Sequence, residues 1–356
     1  MLFENSLIAI DIGSYSIKVA EFSGGKNKSV SRLGLKTLPA GAVVGGLIRE
    51  HEMVKVAINQ ILKEMGVRRL MRRACLSISG SNLIVRRMPI IRNESVELNE
   101  QVFFEAEKQL QMDMNELYFD YVYEKATVES LEKVALLAAS KREIVDERVS
   151  ILAKLGIGIG VIDAECYALA NIVEYTHGQI PGLIAILNIG GVFTNIIFIF
   201  NGNYLYSREI GVAGEQYTRS IGEVAGVSTE VAESMKVKIS SGETALDEHM
   251  VHAIMSTHEA FINEVQQTVD AFMQSVDAPP GKEQLKGIFL TGGGAAIPGL
   301  AEAIRNKIQI PAEIFDPFSN MKVPKKFPGV KYLSDRLAFG VCAGLGLRNF
   351  NEIREE

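Results

Sequence analysis

The chain has 356 residues, 47% of them hydrophobic, and a formal net charge of −6. That length and apolar content can fill the cores of two domains, and the acidic balance argues against nucleic acid as the main partner. Cys75, Cys166 and Cys342 share no metal or disulfide spacing, the start at Met1 lacks the pattern of a leader, and no apolar run nears the ~20 residues of a membrane span, so a cytoplasmic protein is expected.

From Ile8 to Glu21 apolar residues alternate, break at Gly13 and alternate again, which predicts a hairpin. Its turn carries Asp11, Gly13, Ser14 and Ser16. Gly13 lets backbone N–H groups approach a phosphate, the two serines can donate to it, and Asp11 can hold a metal-bound water. Gly24 to Ser29 reads as an exposed turn without the second half of a Walker A loop. Val54, Ile58, Ile61 and Met65 then fall on one face of a helix ended by Gly66.

Arg68, Arg69, Arg72, Arg73, Arg86 and Arg87 surround a strand from Ala74 to Ser79. They form either a solvated basic edge or a contact for anionic lipid or an acidic partner segment. Ser95 is the expected cap of a helix with Leu98, Val102, Ala106 and Leu110 on one face. Strands from Tyr118 to Tyr123 and Val134 to Ala139 follow, then a helix from about Lys141 to Leu155. A β-like stretch, Gly156 to Asp163, leads into a helix from Ala164 to Tyr175.

The first hairpin is then echoed. Leu183 to Ile189 is an apolar strand carrying Asn188; Gly190 and Gly191 break it, and Thr194 and Asn195 open the return strand. A repeat at half-chain spacing predicts two related domains facing one another, with two Gly turns gripping a polyphosphate. Gly214 opens a helix with Tyr217, Ile221 and Val224 inward, and Ser228 is placed to cap the next. There Glu233 and Lys236 share a face, as a surface ion pair or as a pair bracketing a ribose. His249 and His252 on the following long helix have no third ligand for zinc.

A third Gly-rich turn, Gly292 to Gly294, follows the strand Ile288 to Leu290 and lets a flat base lie against backbone. Pro298 fits the first turn of the next helix, with Leu300 and Ile304 inward. Ala312 to Phe315 is a short strand. Ser334 caps a final apolar helix in which Gly340 and Gly344 allow close packing, and the tail beyond Arg348 is polar.

The order of two phosphate turns and a late Gly-rich turn resembles the actin-like ATPase superfamily. Within it, Phe104 to Lys108, Leu136 to Lys141, Val161 to Ala164 with Ala168, and Glu313 to Phe318 resemble the PilM family of type IV pilus machinery over nearly the whole chain. The resemblance implies an α/β, bilobed actin-like ATPase fold with duplicated core domains and an FtsA-like insert subdomain in the first lobe. The first lobe would cover 1–182 with the insert at about 75–155. The second would cover 183–333 with a nucleotide-binding subdomain at about 212–285. A C-terminal helix packed on the first lobe and a polar tail would fill 334–356.

The resemblance also implies ATP and Mg2+ in the central cleft. Asp11, Gly13, Ser14, Tyr15, Ser16 and Lys18 match the first phosphate motif, with Asp11 reaching Mg2+ through water; Gly190, Gly191 and Thr194 match the second, with Asn188 beside them expected to contact the nucleotide. Gly214, Glu233, Lys236, Gly292, Gly293 and Gly294 match the ribose and adenine positions. The implied partner is the cytoplasmic N-terminal segment of PilN, in a groove between first lobe and insert. Pilus motor and platform proteins, and self-association, are further expected contacts, with the membrane reached only through partners.

Two departures qualify these expectations. Asn188 stands where such ATPases carry Asp, and an amide neither supplies an anionic metal-shell ligand nor accepts a proton at neutral pH. Slow or absent hydrolysis is therefore expected, the alternatives being an active ATPase or small-molecule kinase, or an FtsA-like division filament protein. Gln109 to Met112 also replaces an aromatic-Ile-Pro-Phe run near the partner groove.

Overall fold

The computed structural model describes residues 6–23, 28–67, 73–91, 95–123, 132–275, 284–324, 330 and 333–348. The turn at 24–27, the arginines at 68–72 and the tail from 349 lie outside them. The predicted hairpin forms as β1 (Leu7–Ile12) and β2 (Ser16–Ser23), and β3 (Ser29–Thr37) extends it antiparallel. A two-stranded ribbon, β4 (Val43–Val44) with β5 (Leu47–Ile48), precedes helix α1 (His51–Glu64). Helix α1 buries Val54, Ala57, Ile58, Ile61 and Leu62 on one stripe. Burying each large aliphatic side chain contributes about 1.5–3 kcal/mol over leaving it exposed. The chain then enters β6 (Arg73–Ile78), parallel to β1.

A separate sheet follows, built from β7 (Ile84–Ile91), helix α2 (Leu98–Leu110), β8 (Leu117–Tyr123) and β9 (Glu132–Lys141), in the order β7-β9-β8. It has its own core of Met88, Ile90, Val102, Ala106, Leu117 and Leu137. Although β6 lies inside the stretch 75–155, it is bonded into the first sheet. Helix α3 (Arg142–Lys154) likewise packs Ile151 and Leu152 into the first lobe's core. The insert with its own sheet is therefore shorter, from β7 to β9. Ser95 does not cap α2: Glu97 takes that place without a side-chain bond.

Strand β10 (Gly158–Ala164) closes the first sheet in the order β10-β6-β1-β2-β3, and α4 (Glu165–His177) leads out of it. The second half repeats the scheme. Strands β11 (Leu183–Ile189), β12 (Thr194–Phe200) and β13 (Asn203–Ile210) form an antiparallel meander. Helices α5 (Gly214–Ala225), α6 (Thr229–Ser240) and α7 (Glu248–Met273) come next. Strand β14 (Leu285–Thr291), helix α8 (Leu300–Ile308) and β15 (Ala312–Ile314) complete the order β13-β12-β11-β14-β15. Each sheet thus has a three-strand meander at one side and two strands added in parallel at the other.

The expected final helix is two, α9 (Leu333–Leu337) and α10 (Gly340–Leu345). Helix α10 lies against α4 so tightly that a Cβ on Gly344 would stand 1.9 Å from the Ala168 carbonyl oxygen. Val224 faces out of α5 rather than in, and Pro298 precedes the Gly299 cap of α8 instead of occupying its first turn.

Candidate functional site

The three Gly-rich turns meet in one cleft of about 320 Å³ between the lobes. From the first hairpin, Asp11, Gly13, Ser14, Tyr15, Ser16 and Lys18 line it. Asp11 and Lys18 are cross-strand partners, and Lys18 Nζ donates to Asp11 Oδ2 at 3.0 Å. The Gly13 N–H closes the turn onto the Ser16 carbonyl at 3.2 Å. A Cβ on Gly13 would sit 2.9 Å from Lys18 Nζ.

From the second lobe come Asn188, Gly190, Gly191 and Gly214. The Gly190 and Gly191 carbonyls accept the first N–H groups of α5, from Gly214 at 3.1 Å and Glu215 at 2.7 Å, which ties the second turn to that helix. Thr194 does not reach the cleft. It is buried, and its hydroxyl donates to the Val212 carbonyl at 2.7 Å. Asn195, one residue on, lines the cleft instead, because successive strand side chains point to opposite faces.

Glu233 and Lys236 are not a surface pair. Lys236 Nζ donates to Glu233 Oε2 at 2.6 Å, to Thr218 Oγ1 at 2.8 Å and to the Gly214 carbonyl at 3.1 Å, in the cleft wall. The Tyr15 hydroxyl reaches Glu233 from the opposite lobe; burial, then the Glu233 charge and hydrogen bond, hold that hydroxyl far above the usual phenol range.

Gly292, Gly293 and Gly294 form the end of the cleft beside Ile297 and Ala338. Gly292 has φ +85, and a Cβ there would meet the Ile189 carbonyl oxygen at 2.4 Å, so only glycine fits. Gly293 is open on its cleft side, with the nearest atom to an added Cβ at 3.8 Å. The turn is held from behind by His258. Its Nε2 donates to the Pro298 carbonyl at 3.0 Å, which leaves Nδ1 to accept from the Tyr217 hydroxyl at 2.8 Å.

Sequence reading missed Glu165, the first residue of α4. Its Oε1 accepts from Asn188 Nδ2 at 2.7 Å and Asn195 Nδ2 at 2.8 Å. Burial, then the Asp11 charge, pushes this carboxyl up to about 7 against the pull of the two amides. The available signal was a carboxylate on the face that α4 otherwise fills with Cys166, Leu169 and Ile172.

Beyond Glu165 lies a second cavity of about 370 Å³, between β7 of the insert, β13 of the second lobe and the first lobe. Arg86, Arg87 and Arg208 line it with Tyr204 and Tyr206. Strands β7 and β13 are both outer strands of their sheets. Among the described residues no group of three His, Cys, Asp or Glu is placed to hold a metal, and His249 and His252 are exposed. No described helix is long and apolar enough to cross a membrane.

Comparison with known proteins agrees with this architecture. Cell division protein FtsA of Bacillus subtilis (strain 168) is 23% identical over 91% of this chain and 81% of its own length. The solved structure of a PilM-PilN type IV pilus biogenesis complex covers 96% of this chain and 99% of its own, with TM-score 0.79 and 20% identity. MreB5 of Spiroplasma citri bound to ADP covers 99% and 96%, with TM-score 0.54 and 15% identity. At such identities the likeness establishes the fold, which is the bilobed actin-like one. The model of the family described as type IV pilus assembly protein PilM matches residues 9–350, and the chain belongs to that family.

Proposed function

We propose that this protein is an ATP-binding scaffold of the type IV pilus inner-membrane assembly complex, with hydrolysis slow or absent. The observation that carries the nucleotide reading is the convergence of three Gly-rich turns from two lobes on one cleft. The glycines leave a cradle that a Cβ would fill, Lys18 offers a cation beside the first turn, and Gly293 leaves a flat wall. In this reading Gly13, Ser14, Lys18, Gly190 and Gly191 hold phosphates. Tyr15, Gly214, Glu233 and Lys236 hold the ribose, and Gly292 to Gly294 hold the base. Asp11 with the Asn188 amide oxygen suits a hard cation that keeps most of its waters, so Mg2+ fits. Bound there, Mg2+ supplies charge neutralisation for the phosphates; Lys18 would have to turn from Asp11 toward them.

Asn188 is the reason to expect little turnover. A second reading, an active ATPase, is favoured by Glu165, whose carboxyl at about 7 lines the cleft and is suited to proton exchange at neutral pH. Steady phosphate release by wild type that Glu165→Gln abolishes would establish the active enzyme.

We also propose that the N-terminal segment of a PilN-type partner docks in the second cavity. Its walls are the outer strands β7 and β13, so an extended segment can add to a sheet edge there, with Tyr204 and Ser207 for side-chain contacts. Through that segment the protein would be held at the membrane and linked to motor and platform proteins. Fluorescence anisotropy of a labelled PilN-type N-terminal peptide with the full chain tests this. Saturable binding, weakened by Ser207→Trp, which would fill the cavity, is expected; no binding with or without Mg-ATP would overturn it.

A further inference from the structure

Helices α2 and α3 cover opposite faces of the insert's sheet. Phe119 of β8 meets Phe103 of α2, with ring centroids 6.0 Å apart. Its neighbour Tyr118 points the other way, with the Arg142 guanidinium 4.3 Å over its ring and its hydroxyl donating to Asp146 Oδ1 at 3.2 Å, both on α3. Because α3 packs Ile151 and Leu152 into the first lobe's core, α2 is the outer layer of the insert. The stripe that α2 buries is Val102 and Ala106. Glu100, Phe103, Phe104 and Glu107 stand at i, i+3, i+4 and i+7, so they share another side of the helix. All four are exposed, Phe103 by 38% and Phe104 by 60%. The two rings lie edge to face with centroids 6.2 Å apart, and a glutamate closes each end of the row.

That spacing is the seam on which a second helix lays its own apolar residues. Charge decides which kind of helix fits. From Glu97 to Asp120 the chain carries seven acidic residues and one basic residue, a net −6 that equals the balance of all 356 residues. The one base, Lys108, has its Nζ 3.7 Å from Glu105 Oε2, whereas Glu100 and Glu107 make no ion pair among the described residues. A second copy docked face to face would bring the same carboxylates to the seam, and an anionic bilayer would be repelled by them. A helix that carries Lys or Arg beside its apolar residues meets both the rings and the carboxylates. The groove between β7 and β13 takes no residue from α2, so this face is separate from it.

We infer that the outward face of α2, centred on Phe103 and Phe104 with Glu100 and Glu107 at its ends, is a docking surface for a basic amphipathic helix of a partner protein. The inference needs neither the nucleotide in the cleft nor the peptide in the groove.

The test uses the full chain and a labelled peptide of about 14 residues, long enough for about four helical turns, with Leu at i, i+3, i+4 and i+7 and Lys elsewhere. A peptide with Glu in place of Lys is the control. Anisotropy should show saturable binding of the Lys peptide, weaker at about 300 mM salt than at about 50 mM, and none of the Glu peptide. Phe104→Ser should weaken binding about tenfold or more, and so should Glu100→Lys combined with Glu107→Lys. These side chains are exposed, so both variants should keep the wild-type melting temperature. No binding by wild type, variants that bind as wild type does, or equal binding of the Glu peptide would overturn the inference. So would self-association, or flotation with phosphatidylglycerol vesicles, that Phe104→Ser abolishes, since either gives the face a different occupant.

Discussion

Tyr15 and Gly191 meet across the cleft so closely that a Cβ on Gly191 would stand 2.6 Å from the Cβ of Tyr15. One belongs to the first Gly turn and the other to the second, so their contact sets the spacing of the two lobes at that end of the cleft. Gly191→Val should force the turns apart while leaving both sheets intact. Calorimetric titration with Mg-ATP should show a loss of about tenfold or more, equivalent to about 1.4 kcal/mol, with a near-native circular dichroism spectrum.

The third turn separates stability from binding. Gly292→Ala puts a side chain at φ +85 and against the Ile189 carbonyl, so thermal unfolding should report a loss of about 1–3 kcal/mol. Gly293→Asp has room for its Cβ and should fold normally. Its carboxylate would enter the cleft at the wall proposed to hold the base, and Mg-ATP binding should be lost.

Glu165 makes stability depend on pH. Its folded value of about 7 lies above the ordinary 4.5, so the folded state holds a proton that the unfolded chain releases between those values. The resulting stability is present below pH 4.5 and is lost as pH rises through 7. Glu165→Gln, which cannot ionise, should therefore gain in melting temperature relative to wild type between pH 5 and pH 8. A constant difference across that range would show that Glu165 does not titrate as placed.

His258 has the opposite sign. Burial lowers its imidazole below the ordinary 6.5, so its contribution is present above that pH and is lost as pH falls below it. His258→Gln keeps a donor for the Pro298 carbonyl and should lose less melting temperature than wild type between pH 7 and pH 5. Tyr217→Phe should cost about 0.5–1.5 kcal/mol at neutral pH by removing the hydroxyl that His258 accepts.

Much of this was legible in the sequence because it is periodic. The alternation from Ile8 to Glu21 and its echo from Leu183 gave both hairpins, and the glycines between them marked the turns. What was not legible depends on parity and on tertiary contact. Thr194 and Asn195 are neighbours in sequence, but only register with Asn188 decides which faces the cleft. Glu165 looks like an ordinary helix-start carboxylate until α4 is packed against β11 and β12. Glu233 and Lys236 could be read as a surface pair until Thr218 and the Gly214 carbonyl close around the ammonium.

The nucleotide site is tested most directly by calorimetric titration of Mg-ATP into the full chain, wild type beside Asp11→Ala. Saturable binding in wild type and none in Asp11→Ala, with both proteins melting cooperatively, is the predicted result. Equal affinity in the two proteins would mean that the nucleotide, if bound at all, does not occupy the cleft between the two hairpin turns.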